Sequence, residues 1–206
     1  MPQINDHEGR QTDAPPADAQ NLLEKILCLA TAASRALAIF GGLLIVAAAA
    51  LICVEIVVRR FAGISTGVTD ELSSYAFAIG ATLALAHCLV ERAHIRVDSA
   101  TRFLPAAVRI WIDLLATAAL TGFFAMIARY ATETAWISFT RGSRAMTQLQ
   151  TPLYIPQGLW AAALIFFVLV GVIMLAAAAT RLLRGKLKAA EQLVATRTGL
   201  ELEAEL

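Results

Sequence analysis

Four long apolar runs, separated by short polar segments, constrain this 206-residue chain more than any other feature. They cover roughly Ala36–Val58, Leu72–Val90, Ile110–Ala128 and Ile155–Thr180. Each is about the ~20 residues that a helix needs to cross a hydrocarbon core. The runs are continuous rather than alternating, which favours helices over a barrel. With 58% hydrophobic residues and a mean hydropathy of +0.67, the chain is too apolar for an ordinary soluble domain. The expected fold is all-α: an integral membrane protein with four transmembrane helices and an N-terminal interfacial helix.

The remaining segments set the domain plan. Residues 1–20 carry Asp6, Glu8, Asp13 and Asp18 against Arg10, with Pro15-Pro16, and read as a disordered tail. They lack the basic start and short apolar core of a cleaved signal peptide. Asn21–Ala36 places Leu22, Leu23, Ile26, Leu27 and Ala30 at helical spacing. It reads as a helix lying in the interface before span 1, or else as an extension of that span. Residues 21–188 form the transmembrane domain, and 189–206 an acidic and mixed cytoplasmic tail.

Basic residues orient the chain. The N-terminal part (Arg10, Lys25, Arg35), the segment between spans 2 and 3 (Arg92, Arg96, Arg102, Arg109) and the C-terminal part (Arg181, Arg184, Lys186, Lys188, Arg197) hold twelve of the seventeen Lys and Arg. The other side has Arg59, Arg60, Arg129, Arg141 and Arg144. Positive charge accumulates inside, so both termini are expected in the cytoplasm. Tyr75, Tyr130, Trp136, Tyr154 and Trp160 then fall near the outer ends and Trp111 near the inner one, as amphipathic rings prefer.

Groups that could carry chemistry are sparse. Glu55, His87 and Asp113 lie near span ends, where charge costs less. Glu55 and Arg59 stand at i,i+4 and can pair, for structure, for docking a partner or, least simply, around a proton. No span shows a charge at mid-membrane or a polar stripe along one face, as a self-sufficient transporter or channel working as a homo-oligomer would need. One histidine within the spans argues against a haem-bearing redox bundle. Cys28, Cys53 and Cys88 form no metal pattern and read as small apolar residues. No catalytic residue, metal site or cofactor is expected, and a net charge of +1 gives no attraction to nucleic acid. Ala76, Gly80 and Ala84 recur at four-residue spacing, which admits close helix approach or reflects alanine abundance alone.

Two polar segments are patterned. Between spans 2 and 3, Glu91 to Asp98 alternates apolar Ile95 and Val97 with His94, Arg96 and Asp98, then reaches Phe103-Leu104-Pro105. Such a segment suits the headgroup layer, with membrane lipid as its neighbour and Asp98 as a cap for the residues that follow. Before span 4, Thr151-Pro152-Leu153-Tyr154-Ile155-Pro156-Gln157-Gly158 places Pro156 in a first helical turn, where its missing N–H costs nothing.

The order of these features resembles the small membrane subunit of tripartite ATP-independent periplasmic (TRAP) transporters, the DctQ-type permease. The carriers are Glu55 with Arg59-Arg60-Phe61, Asp70-Glu71-Leu72, His94-Ile95-Arg96-Val97-Asp98, Leu104-Pro105, and Pro152 through Gly158. The resemblance implies a non-catalytic scaffold in a bacterial inner membrane. Its partners would be a large membrane subunit that holds the substrate and sodium sites and a periplasmic substrate-binding protein that delivers an organic acid. Glu55, Arg59, Arg60, Asp70, Glu71, His94, Arg96 and Asp98 are the candidate structural or partner-contact residues.

Overall fold

The computed structural model describes residues 17–63, 67–91 and 106–183. They form four helices: α1 (Ala17–Ala62), α2 (Val68–Val90), α3 (Ala106–Arg141) and α4 (Tyr154–Leu183). All four are long and apolar enough to cross a membrane, as expected.

Two helices differ from the expected spans. The segment Asn21–Ala36 is not a separate helix but the continuous beginning of α1, which already starts at Ala17. No proline interrupts it, and alanine and leucine dominate, so nothing breaks the helix where an interfacial turn was expected. At 46 residues α1 is about 69 Å long, more than twice a hydrocarbon core. The third helix likewise does not stop at Ala128. It continues through Arg129 and Glu133 to Arg141, because a charged residue ends an apolar run without ending a helix.

The helices stand in the order α1, α2, α4, α3. α1 packs on α2, α2 on α4, and α4 on α3, with α1 touching α4 only lightly. α4 is therefore the central helix. Half of its most apolar stretch is buried, against 11% for α1. Its inner face carries Phe167, Val170 and Met174 against Ala86 and Leu89 of α2, with Leu120 and Phe124 of α3 alongside. The Phe124 and Phe167 rings lie 4.4 Å apart. Further along, Ala161 and Leu164 of α4 meet Ala128 and Ala131 of α3. Lipid is as apolar as these side chains, so their gain comes from close packing rather than escape from water.

The small-residue row in α2 marks a true close approach. A Cβ on Gly41 would stand 2.5 Å from the Gly80 carbonyl oxygen, and one on Gly80 would stand 2.6 Å from the Gly41 carbonyl oxygen. The α1 and α2 backbones touch where glycine alone leaves room.

Candidate functional site at the loop end of the array

The ends of α1 and α3 and the starts of α2 and α4 meet at one end of the molecule, the loop end. α3 stops at Gly142, whose φ of 60° suits glycine; the Gly142 N–H donates to the Phe139 carbonyl at 3.2 Å and the Ser143 N–H to the Ser138 carbonyl at 3.0 Å. The chain then folds back on itself. The Ala145 N–H donates to the Thr151 carbonyl (2.9 Å) and the Leu153 N–H to the Ser143 carbonyl (3.1 Å), with Arg144 and Pro152 paired as a bridge. Pro156 sits in the first turn of α4, as the sequence predicts.

This folded loop brings Thr147 onto Glu71 of α2. Glu71 is buried at 6% exposure. One carboxylate oxygen accepts from the Tyr75 hydroxyl at 2.9 Å and the other from the Thr147 hydroxyl, with Thr151 bonding to the same carboxylate. A buried carboxylate needs such donors because it offers only acceptors. The start of α2 also favours an acid, since free backbone N–H groups gather there. Glu55 of α1 reaches across in turn: the Thr69 hydroxyl of α2 donates to it at 3.3 Å. Two glutamates thus tie α1 to α2 and α2 to the α3–α4 loop. The chemistry is that of a clamp, with acceptors held by neutral hydroxyls.

The other candidates fall differently. Asp70 is exposed, and its backbone carbonyl accepts from the Ser73 (3.2 Å) and Ser74 (2.6 Å) hydroxyls. Arg59 and Arg60 are exposed in the last turn of α1. His94, Arg96 and Asp98 lie outside the described residues. Thr69, Thr147 and Thr151 were not among the sequence candidates. Isolated threonines carry no signal, and only the fold brings them to the glutamates. Among the described residues no group of three His, Cys, Asp or Glu stands as a metal site would require.

The aromatic girdle is split. Tyr130 and Trp136 are exposed at 59% and 65%, as belt residues are. Tyr75 turns its hydroxyl to Glu71, and Trp160 turns its ring inward to donate from Nε1 to the Thr82 hydroxyl at 3.0 Å.

One expectation needs correction. α3 does carry a short polar stripe: Arg129, Thr132, Glu133 and Trp136, spaced by three or four residues, line a groove between α3 and α4. Reading the third span as ending at Ala128 hid it. Ala128 and Ala131 pack against Ala161 and Leu164, so Arg129 stands level with that turn of α4, inside the helix's apolar run.

No curated protein and no solved structure matches this chain. A family model does, that of the tripartite ATP-independent periplasmic transporters, DctQ component, over residues 48–184. The matched stretch begins before Glu55, takes in the whole hydroxyl–carboxylate clamp and ends just past α4. It covers well over half of a chain whose four helices could each cross a membrane. The chain belongs to the DctQ family, the small permease component of TRAP transporters.

Proposed function

We propose that this protein is the non-transporting scaffold of a TRAP-type secondary transporter that takes up an organic acid. Its partners are a large membrane subunit, which carries the substrate and sodium sites, and a periplasmic binding protein. The observation that carries the reading is the architecture. The four helices form a flat array whose polar groups tie helix to helix at one end, with unbroken helices along its length. A transporter that moves an ion or acid through itself uses interrupted helices around a midplane site. A rigid, apolar-faced array suits a different task, that of widening a partner's membrane frame and holding it still while the partner moves. The organic acid is what the family resemblance implies, and no residue of this chain is assigned to bind it.

Glu55 and Glu71 hold the array together in this reading. Arg59, Arg60 and Asp70 are exposed around them as contact positions, and His94, Arg96 and Asp98 serve the opposite interface. The loop end faces the periplasm and both termini face the cytoplasm, in keeping with the distribution of basic residues.

Co-expression with the cognate large subunit, followed by purification through a tag on this chain, should recover both proteins together. Loss of the partner in mild detergent and in nanodiscs alike would sink the subunit reading. In a variant lacking Cys28, Cys53 and Cys88, single cysteines at Gly63 and Gly142 should react with an impermeant reagent from outside. Labelling of a cysteine at Thr101 from that side would invert the topology.

A further inference from the structure

The groove between α3 and α4 carries more than packing. It has a volume of about 600 Å³ and opens to the surroundings of the array. Ala125 and Ala128 form part of its α3 side, while Ile165, Val168 and Leu169 of α4 line the other. Along the α3 side run Arg129, Thr132, Glu133 and Trp136. Arg129 and Glu133 are exposed, and the structure gives neither of them a hydrogen bond or ion pair with another described residue.

Depth makes these charges informative. Three contacts fix the register of α3 on α4. A Cβ on Gly171 would fall 2.5 Å from the Thr121 hydroxyl, Ala128 and Ala131 meet Ala161 and Leu164, and the Phe139 and Tyr154 rings lie 5.3 Å apart. Arg129 is therefore level with Ala161–Leu164, roughly 10–15 Å along α4 from its start at Tyr154. Helical side chains lean toward their own N-terminus, which on α3 is away from the loop end and deeper into the apolar run. Lipid tails offer no partner to a guanidinium or a carboxylate there, and ionisable groups at such depth face protein or water. A lipid-covered face would be apolar, as the exposed face of α1 is.

We propose that this groove is the seat of a transmembrane helix of the large membrane subunit. The helix carries an acceptor, a carboxylate or amide oxygen, opposite Arg129 and a donor opposite Glu133. This rests on the subunit reading above and adds the face, the register and the chemistry of the contact. The small side chains of Ala125 and Ala128 let a helix approach closely, the geometry that dispersion forces reward in lipid. Paired in this way, the two charges set the depth and rotation of the partner helix as well as its affinity.

The test uses the co-expressed pair. The photoreactive residue p-benzoylphenylalanine replaces Thr132 or Leu169 in the groove, or Leu43 or Val46 on α1. Irradiation should join Thr132 and Leu169 positions to the large subunit. Separately, Arg129→Leu with Glu133→Leu should lower recovery of the large subunit about tenfold, the loss of one or two polar contacts in the membrane. The same double variant should leave the melting temperature of the isolated small subunit unchanged or raised. If the wild-type pair co-purifies but the groove positions give no adduct, or give adducts only with a second copy of this chain, the docking face is wrong while the subunit reading stands. Undiminished recovery with the double leucine variant also overturns it. Failure of the wild-type pair to co-purify at all overturns the subunit reading instead.

Discussion

α1 and α3 are the two edges of the same array, yet they meet their surroundings in different ways. From Ala36 to Phe61, α1 exposes Ile39, Phe40, Leu43, Val46, Val54, Ile56 and Val57, an apolar face whose charges wait until Glu55 and the Arg59-Arg60 end. α3 exposes Leu115, Phe123 and Met126 over its first half, then Arg129 and Glu133 within the stretch that packs on the apolar run of α4. The first edge is complete in lipid. The second is complete only when something polar covers it. Apolar content alone therefore does not tell a lipid-facing helix from a partner-facing one; the position of a few charges against a neighbouring helix does.

The largest effect expected from breaking this contrast is a charge placed on the lipid edge. Val46, 66% exposed on α1, changed to arginine should cost the isolated subunit about 3 kcal/mol of insertion free energy and reduce its membrane-integrated yield. Removal of the charge on the other edge, Arg129→Leu, should cost the isolated subunit nothing. Equal losses from both changes would erase the distinction between the edges.

Next comes the joint that holds α1 in place. Gly41→Leu forces apart two backbones in contact and should destabilise the subunit by about 1–3 kcal/mol, read as a lower melting temperature in detergent. Gly42→Leu, one residue on, meets nothing within 4 Å and should leave melting unchanged. Similar behaviour of the two variants would contradict the α1–α2 approach.

A smaller effect is expected at the clamp. Thr147→Ala removes one donor to Glu71, and amide exchange at Ala145 and Leu153 should quicken about fivefold, the factor that one hydrogen bond is worth. Unaltered exchange would mean that the loop is held without Glu71. The smallest change is at the α2–α4 joint, where Thr82→Val deletes the acceptor for Trp160. The expected cost is about 0.6 kcal/mol, with a shift in Trp160 fluorescence as the second readout.

Much of this was legible before any coordinates. Helix number follows from runs of apolar residues, and the close approach at Gly80 from small residues at four-residue spacing. Pro156 at the first turn of α4 is equally local. Glu55 and Glu71 stood out because acids beside apolar runs are rare. Their partners did not, since Thr69, Thr147 and Thr151 acquire meaning only when α1, α2 and the α3–α4 loop converge. Trp160 resembled an interfacial anchor because its position near a span end is one-dimensional information. Its turn toward Thr82 is set by the packing of α2 on α4. The depth of Arg129 was hidden for a related reason: an apolar run ends at a charge, whereas a helix ends where its backbone bonds end, and α3 runs on to Arg141.

Reconstituted uptake tests the central claim most directly. Liposomes that contain this chain alone, with the periplasmic binding protein loaded with its organic acid added outside and an inward sodium gradient applied, should show no uptake above protein-free vesicles. The same vesicles should accumulate the acid once the large subunit is included. Sodium-dependent accumulation by this chain without the large subunit would contradict the scaffold account and make the array itself the transporter.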